Sequence, residues 1–192
     1  MFTENPPSAI LFVMADVTSL EQKEQGEIEL PPNLTQALGN YLSQEIAPQL
    51  AKIGEGISNL PENSKGIEEM KRGRERIKKF LDGLESAEKV SLTREDEFKF
   101  FGQRKEKTLK PGVITADQKL THKLVRGLND VIGNPLSSLF GFSEHKYPQI
   151  HAASSKILQV MDIFRNAQGL RITIDKSGRP TLKTIPHPNL AK

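Results

Sequence analysis

Leu128-Asn129-Asp130-Val131-Ile132-Gly133-Asn134-Pro135-Leu136 lies inside a run of apolar residues spaced by four and three: Leu120, Leu124, Leu128, Ile132, Leu136 and Leu139. At about 100° per residue that spacing draws one apolar stripe along a helix. A weaker echo, Leu42-Ser43-Gln44-Glu45-Ile46-Ala47-Pro48-Gln49-Leu50, sits 86 positions earlier. Its stripe runs through Leu34, Leu38, Leu42, Ile46, Leu50, Ile53 and Ile57.

Outward from these stretches the two halves keep step. Each long helix is followed by a second: Ile67, Met70, Ile77, Phe80, Leu81 and Leu84 in the first half, and Ile150, Ile157, Val160, Met161 and Phe164 in the second. Gly169 is the expected C-terminal cap of the latter. The period then drops to two. Val90 and Leu92 face Phe98 and Phe100 across a turn at Thr93 to Glu97. Leu170, Ile172 and Ile174 face Leu182 and Ile185 across Asp175-Lys176-Ser177-Gly178. The shared change of period, at the same place in both halves, argues for an internal repeat rather than chance alignment.

One amphipathic hairpin cannot bury its own stripe, but two can bury theirs against each other. The expected fold is therefore mostly α: an intrachain four-helix bundle of two repeated helical hairpins, each followed by a short β-hairpin. Such a chain holds within itself what is otherwise a symmetric dimer, so a monomeric pseudo-dimer is expected rather than a homodimer.

The expected organisation has five parts. Residues 1–30 form an N-terminal segment, with a strand or short buried helix at 9–17 and Asp16 or Thr18 as a cap; Pro31-Pro32 ends that segment. Residues 31–102 are the first repeat, with Asn33 as N-cap. Residues 103–118, charged and containing Pro111-Gly112, read as a linker. Residues 119–186 are the second repeat, and 187–192 a tail.

Composition narrows the chemistry. The 192 residues include no cysteine, which excludes disulfides, thiolate zinc sites and cysteine nucleophiles and suits a reducing, cytoplasmic location. Twenty-seven basic side chains against 24 acidic ones leave a net charge of +3, too mild to demand nucleic acid. The apolar run Ala9 to Ala15 is shorter than the about 20 residues a bilayer requires, and Glu4 is the first charged side chain. No membrane anchor or signal peptide is expected.

Asp130-Val131-Ile132-Gly133-Asn134-Pro135-Leu136, followed by Ser137-Ser138-Leu139-Phe140-Gly141-Phe142, resembles the H-box of sensor histidine kinases, H-E/D-L/I-R-T/N-P-L continued by T-x-I-x-G-Y/F. Gln44 to Ile53 resembles the same box with its proline moved by one. The resemblance implies a dimerisation and phosphoacceptor hairpin that assembles into a four-helix bundle. Residues 9–23, with Asp16-Val17-Thr18, resemble the exit of a PAS-type sensor module.

The departures weigh against catalysis. The family's phosphoacceptor histidine falls on Gln44 and on Asp130, its acidic neighbour survives only as Glu45, and its arginine is replaced by Ala47 and Gly133. No Gly-rich nucleotide box and no room for an ATP-binding domain follow, so kinase activity is not expected. Asp130 and Gln44 each lie two residues from stripe positions on either side, about 200° away around the helix, and should face solvent. There the family's receiver domain docks. Pro48 and Pro135 fall within the helices, where proline costs about 3 kcal/mol, and imply a kink or break.

The four histidines, His122, His145, His151 and His187, show no metal spacing. Gly54-Glu55-Gly56 and Gly141-Phe142 are not phosphate loops, and Ser137-Ser138 has no base spaced to activate it. No cofactor, metal or catalytic residue is expected. The expected function is non-enzymatic signalling or scaffolding, with a protein partner such as a receiver domain docking around Gln44, Glu45, Asp130 and Asn134. Two alternatives stand beside it: histidine phosphotransfer through a surface histidine such as His122 or His151, and nucleic-acid binding by the basic run Lys71 to Lys79. Glutamates interleave that run, which makes nucleic acid the weaker partner.

Overall fold

The stripes decide which helix faces turn inward. Leu34, Leu38, Leu42, Ile46, Leu50, Ile53 and Ile57 are all buried, as are Leu124, Leu128, Ile132, Leu136 and Leu139. The computed structural model describes residues 27–105, 108–143 and 147–186. Within them the first half comprises β1 (Ile28–Glu29), α1 (Pro32–Ser58), α2 (Ile67–Ser86), β2 (Lys89–Leu92) and β3 (Phe98–Phe101). The second comprises β4 (Gly112–Ala116), α3 (Gln118–Leu128), a π-helical turn (Asn129–Gly133), α4 (Asn134–Ser143), α5 (Pro148–Arg165), β5 (Ala167–Ile174) and β6 (Pro180–Pro186). The segments α3, π turn and α4 follow one another without a gap and act as one irregular helix. The described residues are thus mostly helical, with four helices packed together and two small three-stranded antiparallel sheets, β1-β2-β3 and β4-β5-β6.

The helices pack in a ring. α1 lies against α2 and α5, and α4 lies against the same two. Small residues let them close. A methyl group on Gly56 of α1 would come within 2.7 Å of Ile150 on α5, and one on Gly73 of α2 within 3.1 Å of the Pro135 carbonyl. The two sheets gather about the N-terminal end of α1, which touches β2, β4, β5 and β6. Every residue from Leu34 to Gly39 is buried there, instead of one stripe alone, with Gly39 set against Leu84 of α2.

Each sheet begins with a strand that the hydropathy pattern did not single out. Ile28 pairs with Leu92, and the Leu30 N–H donates to the Val90 carbonyl at 2.8 Å. At the corresponding places Ile114 pairs with Ile172 and Ala116 with Leu170. Gly112–Ala116, expected to be linker, is therefore a strand. Its backbone groups are taken up by β5, and Pro111 stands just outside the pairing, where its missing N–H does no harm. Residues 28–30 likewise belong to the first sheet and core, Leu30 being 1% exposed.

Both hairpins form as the alternation requires. Val90 pairs with Phe100 and Leu92 with Phe98, while Ile172 pairs with Leu182. Two cap positions differ from expectation. α1 starts at Pro32 with Pro31 as its N-cap and no side-chain cap, so Asn33 lies in the first turn. Proline suits that place because the first N–H groups of a helix have no partner within it. α5 stops at Asn166, and Gly169 lies inside β5, where a methyl group would meet Ile185 and the Ala116 carbonyl at 3.0 and 3.2 Å. The expected strand or helix at 9–17, the charged helical turn after it with Asp16 or Thr18 as its cap, the PAS-like stretch 9–23, His145, His187 and the tail lie outside the described residues. No helix among those described is long and apolar enough to cross a membrane.

Candidate functional site on the helical bundle

Gln44 and Glu45 are exposed on α1 between buried Leu42 and Ile46. Asp130 is exposed in the π turn between buried Leu128 and Ile132. Asn134 opens α4 one turn later, and its Nδ2 donates to Asp130 Oδ1 at 2.8 Å. The fold brings Asp130 and Asn134 together and keeps Glu45 beside Gln44. It does not merge the two pairs. α1 and α4 are separated on either side by α2 and α5, so the pairs form two patches on opposite flanks of the ring.

The surroundings of the patches differ. Tyr41 lies one turn before Glu45, half-buried, with its ring edge-on to Phe164 at 6.4 Å between centroids. Burial pushes its phenol above the ordinary value of 10.0, and the Glu45 carboxylate adds to the shift. Gln49, one turn after Glu45, has its Oε1 buried without a hydrogen-bond partner among the described residues.

The prolines also separate. α1 runs through exposed Pro48 without a break from Pro32 to Ser58, leaving the Gln44 carbonyl without its usual donor, on a face water can reach. Pro135 is buried and follows the π turn. Apolar steps of four drift by about 40° per step on a regular helix. The wider π turn takes up that drift, holding Leu128, Ile132 and Leu136 on the core while placing the proline where a backbone bond is already displaced.

Of the histidines, His122 is exposed on α3 beside Val125 and Arg126. His151 is half-buried, its ring 4.2 Å from that of Phe140, and its Nδ1 is enclosed without a hydrogen-bond partner among the described residues. The basic run on α2 is largely neutralised within the helix. Lys71 pairs with Glu68 at 2.9 Å, Arg72 with Glu69 at 3.3 Å and Lys78 with Asp82 at 3.1 Å. Arg74 turns away to donate to the Leu50 carbonyl at 2.9 Å. Among the described residues no three histidine, aspartate or glutamate side chains converge as metal ligands.

One charged site escaped the sequence reading. Asp96, at the tip of the β2–β3 turn, has a φ of 64° and a side chain only 12% exposed. It pairs with Arg126 at 2.9 Å and Lys123 at 3.6 Å on α3. A turn aspartate in Arg94-Glu95-Asp96-Glu97 has nothing to distinguish it in sequence from its charged neighbours. Its role is to clasp the first half to the second.

These groups are suited to docking through hydrogen bonds and charge. No family model, curated protein or solved structure matches the chain.

Proposed function

We propose that this chain is a non-enzymatic signalling or scaffold protein, built as an intrachain pseudo-dimer of a kinase-like dimerisation hairpin, that binds a protein partner on its bundle. The observation that carries this reading is the placement of Gln44 and Asp130. Both stand at the position of the family's phosphoacceptor, both are exposed, and each lies on a helix flanked by the same two neighbours. The strand registers, with Ile28–Leu92 answered by Ile114–Ile172, support descent of both halves from one unit. Neither glutamine nor aspartate offers the imidazole that such relay requires, so what the patches retain is a docking surface. The partner chemistry that fits is a receiver domain.

Two patches on opposite flanks imply two docking sites of unequal affinity, since one presents Gln44 and Glu45 and the other Asp130 and Asn134. Calorimetric titration with a panel of purified receiver domains tests this. Gln44→Arg and Asp130→Arg should each remove one site and spare the other. Receivers that do not bind, or that bind both variants like the parent chain, would remove this reading. The exposure of His122 favours a second one, phosphotransfer. Acid-labile label that disappears in His122→Ala would establish it in place of the first.

A further inference from the structure

We propose that the outer face of the β4-β5-β6 sheet docks an acidic segment of a partner protein. Register places Thr115, Arg171 and Lys183 in one row across the three strands, with Val113, Thr173 and Thr181 in the next. Ile185 closes the face opposite Gly169. All seven side chains are exposed, Val113 by 42% and Ile185 by 49%.

Arg171 and Lys183 are direct cross-strand partners, and like charges so placed repel. Among the described residues neither forms an ion pair or a side-chain hydrogen bond. The two carboxylates at the ends of the face are engaged elsewhere. Asp117 caps α3 by accepting from the Leu120 N–H at 2.8 Å. Asp175 accepts from the N–H and hydroxyl of Ser177 and the N–H of Arg179 inside its own turn.

The other sheet supplies an internal comparison. On its outer face Lys89 meets Glu29 at 3.8 Å and Lys99 meets Glu27 at 3.7 Å, so each lysine has a carboxylate on β1 or just before it. Two sheets of the same topology thus treat their cations oppositely. One supplies the counter-charges itself; the other leaves two adjacent cations ringed by threonine hydroxyls and flanked by branched aliphatic groups. An anion from outside fits that vacancy. No aromatic side chain lies on the face, and single-stranded nucleic acid is held chiefly by stacking on such rings. Carboxylates over Arg171 and Lys183, with apolar side chains against Val113 and Ile185, match a protein segment of mixed acidic and aliphatic character.

The test uses the full chain and a fluorescein-labelled peptide of alternating glutamate and valine, followed by anisotropy. Arg171→Gln/Lys183→Gln should weaken binding about tenfold, while Lys89→Gln/Lys99→Gln, which removes the same charge from the other sheet, changes it by less than about twofold. Circular dichroism checks that both variants keep the fold. Absence of peptide binding, or equal weakening by the two variants, overturns the proposal. So does a labelled oligothymidylate that binds more tightly than the peptide and is lost in Arg171→Gln/Lys183→Gln, since that outcome assigns the face to nucleic acid.

Discussion

Gly127 and Gly141 differ in what a methyl group would meet. At Gly127 it would come within 2.5 Å of the Asp96 carbonyl and 2.7 Å of the Phe98 ring; at Gly141 nothing lies within 4 Å. Alanine is the better helix former by about 1 kcal/mol, so that gain is realised only where space exists. Gly141→Ala should stabilise the chain by about 0.5–1 kcal/mol, and Gly127→Ala should destabilise it by about 1–3 kcal/mol through overpacking. Urea denaturation of the two variants reads both signs, and a stabilised Gly127→Ala would contradict the close docking of the β2–β3 turn on α3. Tyr41 supplies a pH prediction at the same scale. Its folded pKa is raised, first by burial and then by Glu45. The stability it contributes is therefore complete below the ordinary phenol value of 10.0 and is lost as pH climbs through the higher folded value. Phenolate absorbance should show a late-titrating tyrosine that vanishes in Tyr41→Phe. In Glu45→Gln it should move down only in part, because burial is the larger cause.

Among the elements, the two prolines make opposite demands. Pro48 stands exposed in unbroken α-helix, so Pro48→Ala restores a backbone hydrogen bond and disturbs no packing. It should stabilise the chain by about 1–3 kcal/mol, the larger unfolded-state freedom of alanine holding the gain below proline's full penalty. Pro135 is buried beyond a π turn that already displaces its bond, and the substitution there also empties packed space. Pro135→Ala should therefore gain less or lose stability; equal gains at both sites would contradict the distinction. The elements also mark how far the sequence could be read. Long stripes such as Leu34 to Ile57 announce themselves because seven apolar residues recur on the same face. The period of two in Leu170 to Ile174 does so because polar residues separate the apolar ones. β1 and β4 carry no such signal. β1 pairs over Ile28 and Glu29 alone, and in β4 the exposed Val113 and the partly buried Ile114 are both branched and apolar, which erases the alternation. The solvent-facing positions of Gln44 and Asp130 followed from helix phase. The pairing of Asp130 with Asn134, and the bare cations Arg171 and Lys183, emerged only from turn geometry and strand register, which a hydropathy pattern does not encode.

For the whole molecule the question is whether one half can stand without the other. Each half alone would expose the stripe of its long helix, and α1 would lose its contacts with β4, β5 and β6. The Asp96 clasp crosses the same divide, from the β2–β3 turn to Arg126 and Lys123 on α3. A cut for separating the halves belongs between Lys105 and Thr108, because β4 pairs with β5 and must stay with the second half. Light scattering should find the uncut chain monomeric. The separated halves, once mixed, should recover one-to-one association, since each supplies the apolar face the other lacks. Asp96→Ala should weaken that association by about 1–3 kcal/mol, because it leaves a half-buried Lys123 without its carboxylate. A further consequence distinguishes a pseudo-dimer from two unrelated modules joined by chance. If the halves descend from one hairpin, each alone should tend to pair with its own copy when its partner is withheld, forming homodimers that the complementary half then displaces. Halves that fold as separate monomers and ignore each other on mixing, beside an uncut chain that dimerises, would remove the repeat-based architecture and with it the reason for seeking a docked partner at Gln44 and Asp130.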